Sequence, residues 1–255
     1  MTVPTPGELF GLRGKTALVT GASSGLGARF AMVLAAAGAT VWITARREEK
    51  LNALAATNPA LRVLPGDLAD ERSREKLIAA IAADAGAVDV LVNNAGTDSG
   101  AKPLDETPTG FAGVLGTNLV APFHLAQLAA RAADGKSLSV INVSSILGLV
   151  SAAPLGGASY ASAKAGLIGL TRELAGHWGG RGVRVNALAP GWFRTEMNDE
   201  LFADDRSVRW IERNTMLRRA GEGSELDGAL LFLASAASNY CTGQVLAVDG
   251  GWTAR

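Results

Sequence analysis

The chain has 255 residues, 48% hydrophobic and 19% charged, which suits one sizeable globular core and excludes intrinsic disorder. Lys plus Arg and Asp plus Glu balance at 24 each, so no net field recruits nucleic acid or an anionic membrane. The lone Cys241 excludes an intrachain disulfide and a cysteine metal cluster, and His124 and His177 supply little for a histidine metal site or a His-based triad.

The start, MTVPTPGELFGLRGK, lacks a basic segment followed by an apolar run, so no signal peptide is expected. No stretch of about 18 apolar residues exists to span a bilayer, and a soluble cytoplasmic protein is the expectation. "KTALVT" (15–20) reads as a buried strand, and "GLGARFAMVLAAAGA" (25–39) as a helix ending near Gly38. "TVWITA" (40–45) is the next strand and "RREEKLNALAAT" (46–57) the next helix. "LRVL" (61–64) precedes a helix over 70–84, where Leu77, Ile78 and Ile81 share one apolar face. "VDVLVN" (88–93) and "LSVINV" (138–143) are further strands, the second flanked by helices near 111–134 and 158–178. "VRVNALA" (183–189) and "QVLAVD" (244–249) complete about seven strands. Continuous apolar strands alternating with helices predict an α/β fold: a doubly wound, Rossmann-type parallel sheet covered on both faces. One domain over 1–255 is expected, with the polar, least periodic segment 192–223 as a lid over the substrate.

Between the first strand and first helix lies "TGASSGLG" (20–27). Gly21, Gly25 and Gly27 allow a sharp turn, close approach of a pyrophosphate and tight helix–strand packing. Ser23, Ser24 and Leu26 of the same turn are counted with them as cofactor-binding. The end of the second strand, "TARREEK", carries Ala45 where an NAD site would place an acid, followed by Arg46 and Arg47. A guanidinium clamps a phosphate bidentately. NADP(H) is therefore expected in preference to NAD(H), mainly through Arg46.

"SYASAK" (159–164) places Tyr160 four residues before Lys164, on one face of a helix. Reduction of a carbonyl leaves charge on its oxygen, where a proton donor is needed. A neighbouring ammonium favours the phenolate and is expected to lower the tyrosine's ordinary pKa of about 10. Asn118 in "GTNLVAPF" stands four residues before Pro122, which has no N–H to give its carbonyl. That carbonyl is expected to hold a water linked to Lys164, a proton relay from the tyrosine.

The motif T-G-x-x-x-G-x-G, with "NNAG" (93–96), Ser145, "YASAK" and "PG" (190–191), resembles the short-chain dehydrogenase/reductase family in its compact single-domain branch. The resemblance runs from about residue 12 to residue 252. It implies a catalytic set of Asn118, Ser145, Tyr160 and Lys164, as relay, substrate orienter, acid/base and pKa modifier. It places Asp67 and Leu68 at the adenine, Asn94 and Gly96 at the adenosine ribose, and Tyr160 and Lys164 also against the cofactor. In "PGWFRTEM" (190–197) it sets the Phe193 backbone and Thr195 at the nicotinamide carboxamide. Ser144 neighbours Ser145, and strand alternation is expected to turn the two side chains opposite ways. The fifteen positions from Ser145 to Tyr160 make a long loop expected to alter one wall of the substrate pocket. Trp192, Met197, Phe202 and Trp210 either line an apolar pocket or anchor the lid. His124 and His177 read as packed or capping.

The expected activity is hydride transfer between NADP(H) and a small-molecule carbonyl or secondary alcohol, a carbonyl reductase or alcohol dehydrogenase. A sugar-acid or polyol dehydrogenase and a 3-oxoacyl-thioester reductase are the alternatives within the family, and a non-enzymatic nucleotide sensor stands outside it. "TGQVLAVDGGW" and "PGWFRTEM" lean toward the sugar-acid-like relatives. No metal, nucleic acid or membrane partner is expected. Relatives of this size imply a homotetramer, with a dimer as the alternative, and the small residues of 160–170 permit close helix contact.

Overall fold

Every residue of β1 (Thr16–Thr20) is buried, as a strand covered on both faces requires. Ala17 and Val19 enter one core with Phe30, Leu34, Ile43 and Leu230, while Leu18 enters the opposite core with Leu77, Ile81 and Leu125. The computed structural model describes residues 3–153 and 155–254. Among these, β1 joins β2 (Thr40–Thr44), β3 (Leu61–Val63), β4 (Val90–Asn93), β5 (Leu138–Val143), β6 (Val183–Pro190) and β7 (Val245–Val248) in one seven-stranded sheet. Its order is β3-β2-β1-β4-β5-β6-β7, with each pairing parallel. The order reverses between β1 and β4, and a crevice opens beyond their carboxyl ends, where an open α/β sheet binds its ligand.

The connecting helices in chain order are α1 (Pro6–Phe10), α2 (Gly25–Ala36), α3 (Glu48–Ala55), α4 (Glu71–Ala85), α5 (Pro108–Leu115), α6 (Ala121–Ala133), α7 (Ala158–Trp178), α8 (Asp199–Ala203), α9 (Asp205–Asn214) and α10 (Asp227–Ala234). The expected helix over 111–134 is divided. A π-helical turn, Gly116–Val120, separates α5 from α6, and Ala121 N donates to Gly116 O. Pro122 cannot donate, so the ladder changes register there and Asn118 lies in the altered turn.

Four helices, α1, α8, α9 and α10, escape the sequence pattern. In α1, Thr5 caps Glu8 N while Glu8 reaches back to Thr5 N, with Pro6 in the first turn. The sequence of α10, DGALLFLA, is apolar on every side and shows no period. It is tied to α2 by a fork in which Arg29 Nε and Nη2 donate to Asp227 at 2.7 and 2.6 Å. In the polar, least periodic segment 192–223, α9 is a capped helix: Asp204 accepts from Arg206 N and Ser207 N. Its inner side carries buried Ile211. Among the described residues no helix is long and apolar enough to cross a membrane.

Candidate active site

The turn after β1 is shaped by what cannot fit in it. Gly21 and Gly25 have φ of +68° and +55°. A Cβ on Gly21 would lie 2.7 Å from Ala95 Cα, and one on Gly27 would collide with Gly21 O. Asn94 locks this turn from β4: its Nδ2 donates to Thr20 O at 2.9 Å, and Thr20 Oγ1 accepts from Asn94 N and Ala95 N at 3.0 Å. The start of α2 thus faces an open cleft of about 770 Å³, within the size range of cofactor sites. A groove whose floor only glycine can form, ending at bare helix amides, fits a pyrophosphate.

Arg46, Asp67 and Leu68 line one end of that cleft, and Ser145, Tyr160 and Lys164 line the other. Of the residues expected to act, all but Asn118 line it. Asn118 is fully buried just behind: its Oδ1 accepts from Thr97 N and its Nδ2 donates to Thr97 O, both at 2.8 Å. Its side chain therefore pins the strand-end loop.

At the far end α7 presents Tyr160 and Lys164 one turn apart, with Lys164 Nζ 5.4 Å from the centroid of the tyrosine ring. Lys164 is buried and donates to Val143 O at 2.7 Å. Its neighbour Ser144 donates to Lys164 O at 2.9 Å, while Ser145 hydrogen-bonds toward Tyr160. Both serines line the cleft, and both side chains reach α7. Burial pulls the Lys164 ammonium down to about 8. Burial also pushes the Tyr160 phenol up to about 12; the Ser145 hydrogen bond opposes this rise and the Asp98 charge adds to it. The lowered tyrosine pKa expected from the lysine is thus not what this site holds. Desolvation of a phenolate outweighs an ammonium whose hydrogen bond goes to Val143 O.

Both cofactor-side arginines line the cleft. Arg47, not Arg46, lies against the glycine turn: its Nη2 donates to Ser23 Oγ at 2.9 Å and to Ser24 Oγ at 2.8 Å. Arg46 is exposed at the rim. Asp67 is exposed too, and its Oδ1 accepts from Ala69 N. Phe193 O accepts from Asn198 Nδ2, and Thr195 N donates to Asn198 Oδ1 at 2.7 Å. Among the described residues between Ser145 and Tyr160, none lines the cleft; Pro154 of that loop lies outside them. Trp192, Trp210 and Trp252 pack against one another at centroid distances of 5.0 to 6.2 Å, and Phe202 joins the cluster. These side chains anchor the 192–223 segment, whereas Met197 is exposed and lines the cleft.

A family model described as enoyl-(acyl carrier protein) reductase matches residues 21–253. The chain belongs to the short-chain dehydrogenase/reductase family. It is 38% identical to a gluconate 5-dehydrogenase of Gluconobacter oxydans, over 96% of this chain and 97% of that protein. It is also 38% identical to a galactitol 2-dehydrogenase (L-tagatose-forming) of Cereibacter sphaeroides, with the same two shares covered. A crystal structure of a gluconate 5-dehydrogenase from Burkholderia cenocepacia, in complex with NADP and tartrate, superposes with a TM-score of 0.92. The two are 36% identical, with 98% of this chain and 100% of that one covered. As a short-chain dehydrogenase/reductase the protein is an oxidoreductase acting on CH–OH groups.

Two acids of this short-chain dehydrogenase/reductase that were not expected there, Asp98 and Glu196, line its cleft, and a third, Glu106, holds the lining residue Ser99. Glu106 accepts from Ser99 Oγ at 2.6 Å and from Ser159 N at 3.2 Å, and also from the Ser159 hydroxyl, so it ties the 97–106 loop to the first turn of α7 beside Tyr160. Asp98 lines the cleft near enough to Tyr160 to act on it by charge. Glu196 crosses to Arg47 and Lys50. Each acts across more than fifty residues of sequence or from an irregular loop, where spacing carries no signal. Away from the cleft, His124 Nδ1 accepts from the buried Arg74 guanidinium, which makes it a packed residue. Glu71 and Glu75 stand beside it. His177 is exposed and sits 3.8 Å from Glu173.

Proposed function

We propose that this protein moves a hydride between NADP(H) and the secondary alcohol or ketone of a neutral polyol–ketose pair, with Tyr160 as general acid/base. The observation that carries the reading is the meeting of Tyr160, Lys164 and Ser145 at the end of a glycine-floored cleft large enough for a dinucleotide. The turn from Gly21 to Gly27 would hold the pyrophosphate, Arg47 with Ser23 and Ser24 the 2′-phosphate, and Asp67 and Leu68 the adenine. Phe193 and Thr195 would hold the nicotinamide end. Bound there, NADP(H) supplies or accepts the hydride.

In the reduction direction the Tyr160 hydroxyl gives its proton to the carbonyl oxygen, and Ser145 donates a hydrogen bond that orients that oxygen. The ammonium of Lys164 stabilises the phenolate left behind. Asn118 O, released from the helix ladder by Pro122, would hold the water through which Lys164 passes a proton outward. A high-resolution cofactor-bound crystal structure tests this: an ordered water between Asn118 O and Lys164 Nζ is expected, and its absence counts against the relay.

Asp98 favours neutral polyols within the class, because a substrate carboxylate beside Tyr160 would meet a like charge. A second reading, a sugar-acid dehydrogenase, draws on the gluconate 5-dehydrogenase relative. We also propose that the 192–223 segment is a substrate lid, and that the chain forms a homotetramer, with a dimer as the alternative. Val120 and Phe123, exposed near the π turn, support a helix-borne interface.

The deciding experiment is a panel assayed by NADPH absorbance: ketoses, keto sugar acids, simple ketones and 3-oxoacyl thioesters, each also with NADH. Highest kcat/KM on a ketose with NADPH is expected. Highest kcat/KM on a keto sugar acid would favour the second reading, and a preference for NADH would overturn the cofactor assignment.

A further inference from the structure

We infer that the Glu196 carboxylate sits in the place of the cofactor's 2′-phosphate, and that a phosphate arriving there displaces it and loosens the segment behind it. This rests on the NADP(H) reading above. Arg47 grips Glu196 with a two-pronged fork, Nη1 to Oε1 at 2.9 Å and Nη2 to Oε2 at 2.8 Å. Lys50 Nζ adds 2.7 Å to Oε1. The guanidinium reaches Ser23 and Ser24 as well, so the whole cluster is built on the glycine turn.

This donor set suits an anion with more charge than it now holds. Two cations, Arg47 and Lys50, face one carboxylate. A phosphomonoester brings about −1.5 to −2 charges at pH 7 and three acceptor oxygens. Arg46 adjoins the cluster and, among the described residues, makes no hydrogen bond or ion pair, so it can join a phosphate. The Arg47 and Glu196 side chains are 45% and 48% exposed, which leaves the pair open to competition from solution.

Displacement has a mechanical consequence. Glu196 opens the single turn Glu196–Asn198, Met197 within that turn lines the cleft, and α8 follows at Asp199. Moving Glu196 off Arg47 therefore moves a wall of the substrate end. A 2′-hydroxyl carries no charge with which to break the fork, so NAD(H) leaves the pair closed. Glu196 is in this sense a specificity-determining residue that links recognition of the phosphate to the shape of the substrate end.

The test is calorimetric titration of the full chain and its Glu196→Gln and Arg47→Ala variants with 2′,5′-ADP and 5′-ADP, which differ by the 2′-phosphate. Glu196→Gln removes the competing charge, and the affinity ratio of 2′,5′-ADP to 5′-ADP should rise about threefold to tenfold. Arg47→Ala should bring that ratio down toward one. Hydrogen exchange of the 196–203 amides should speed up when 2′,5′-ADP binds the unaltered protein, and 5′-ADP should leave it unchanged. An unchanged or lower ratio in Glu196→Gln, an Arg47→Ala ratio equal to that of the unaltered protein, or slower exchange with 2′,5′-ADP would each overturn the inference. If neither nucleotide binds, the cofactor reading itself falls and this inference with it; binding without the predicted ratios defeats the inference alone.

Discussion

Lys164 Nζ stands 5.4 Å from the centre of the Tyr160 ring and spends a 2.7 Å hydrogen bond on Val143 O, the last residue of β5. The sheet thus fixes the lysine and the lysine addresses the tyrosine. A buried ammonium with a pKa drawn down from 10.5 to about 8 opposes folding by about 3 kcal/mol at neutral pH. A cation retained at such a penalty is expected to serve chemistry.

Lys164→Met removes that charge while keeping the volume. Turnover should fall at least about a hundredfold, whereas Tm should stay within a few degrees or rise, because the lost bond to Val143 O offsets the relief of burial. Tyr160→Phe should abolish turnover and leave NADPH affinity nearly unchanged in a fluorescence titration. Surviving activity in Tyr160→Phe would remove the tyrosine from the mechanism.

The pH dependence follows from the same pair. Tyr160 is held as the neutral phenol, its pKa raised from 10 to about 12, so carbonyl reduction should be level through neutral pH. It should decline as Lys164 loses its proton through about 8. Alcohol oxidation needs the phenolate and should gain with pH on the alkaline side. For stability the signs are opposite. Between about 8 and 10.5 the unfolded chain binds more protons at Lys164, so that group's contribution grows as pH rises. Between 10 and about 12 the folded chain binds more at Tyr160, so that contribution shrinks. Rate profiles in both directions and urea titrations across this range check both sets of signs.

Asp98→Asn removes the negative charge that adds to the rise of the Tyr160 pKa. The alkaline rise of the oxidation rate should move to lower pH, and KM for a carboxylate-bearing substrate should fall relative to that for a neutral polyol. Identical KM values in the two proteins would show that Asp98 does not sense substrate charge.

Asn118→Ala strips two 2.8 Å bonds from Thr97 in a fully buried position. Leaving Thr97 N and O unpaired should lower stability by about 2 to 5 kcal/mol. Urea unfolding measures this. A loss below about 1 kcal/mol would mean that the loop finds other partners.

Much of this molecule is written locally. The apolar runs of β1 to β7 are each confined to a few residues and alternate with helices, which determines a parallel sheet with two covered faces and a crevice after β1. The glycine turn, and the Tyr160–Lys164 spacing on one helix face, follow from backbone freedom and helical pitch, both properties of neighbouring residues. The break at Asn118 follows from the missing N–H of Pro122. What only the folded chain decided lies in pairings over long sequence distances. Arg47 bonds Ser23 and Ser24 of the glycine turn, which lie more than twenty residues before it in sequence. Glu106 joins Ser159 and Glu196 joins Arg47 because loops from distant strands end at the same edge of the sheet. The raised tyrosine and lowered lysine depend on how many atoms exclude water from them, a quantity set by the whole tertiary structure and carried by no spacing along the chain.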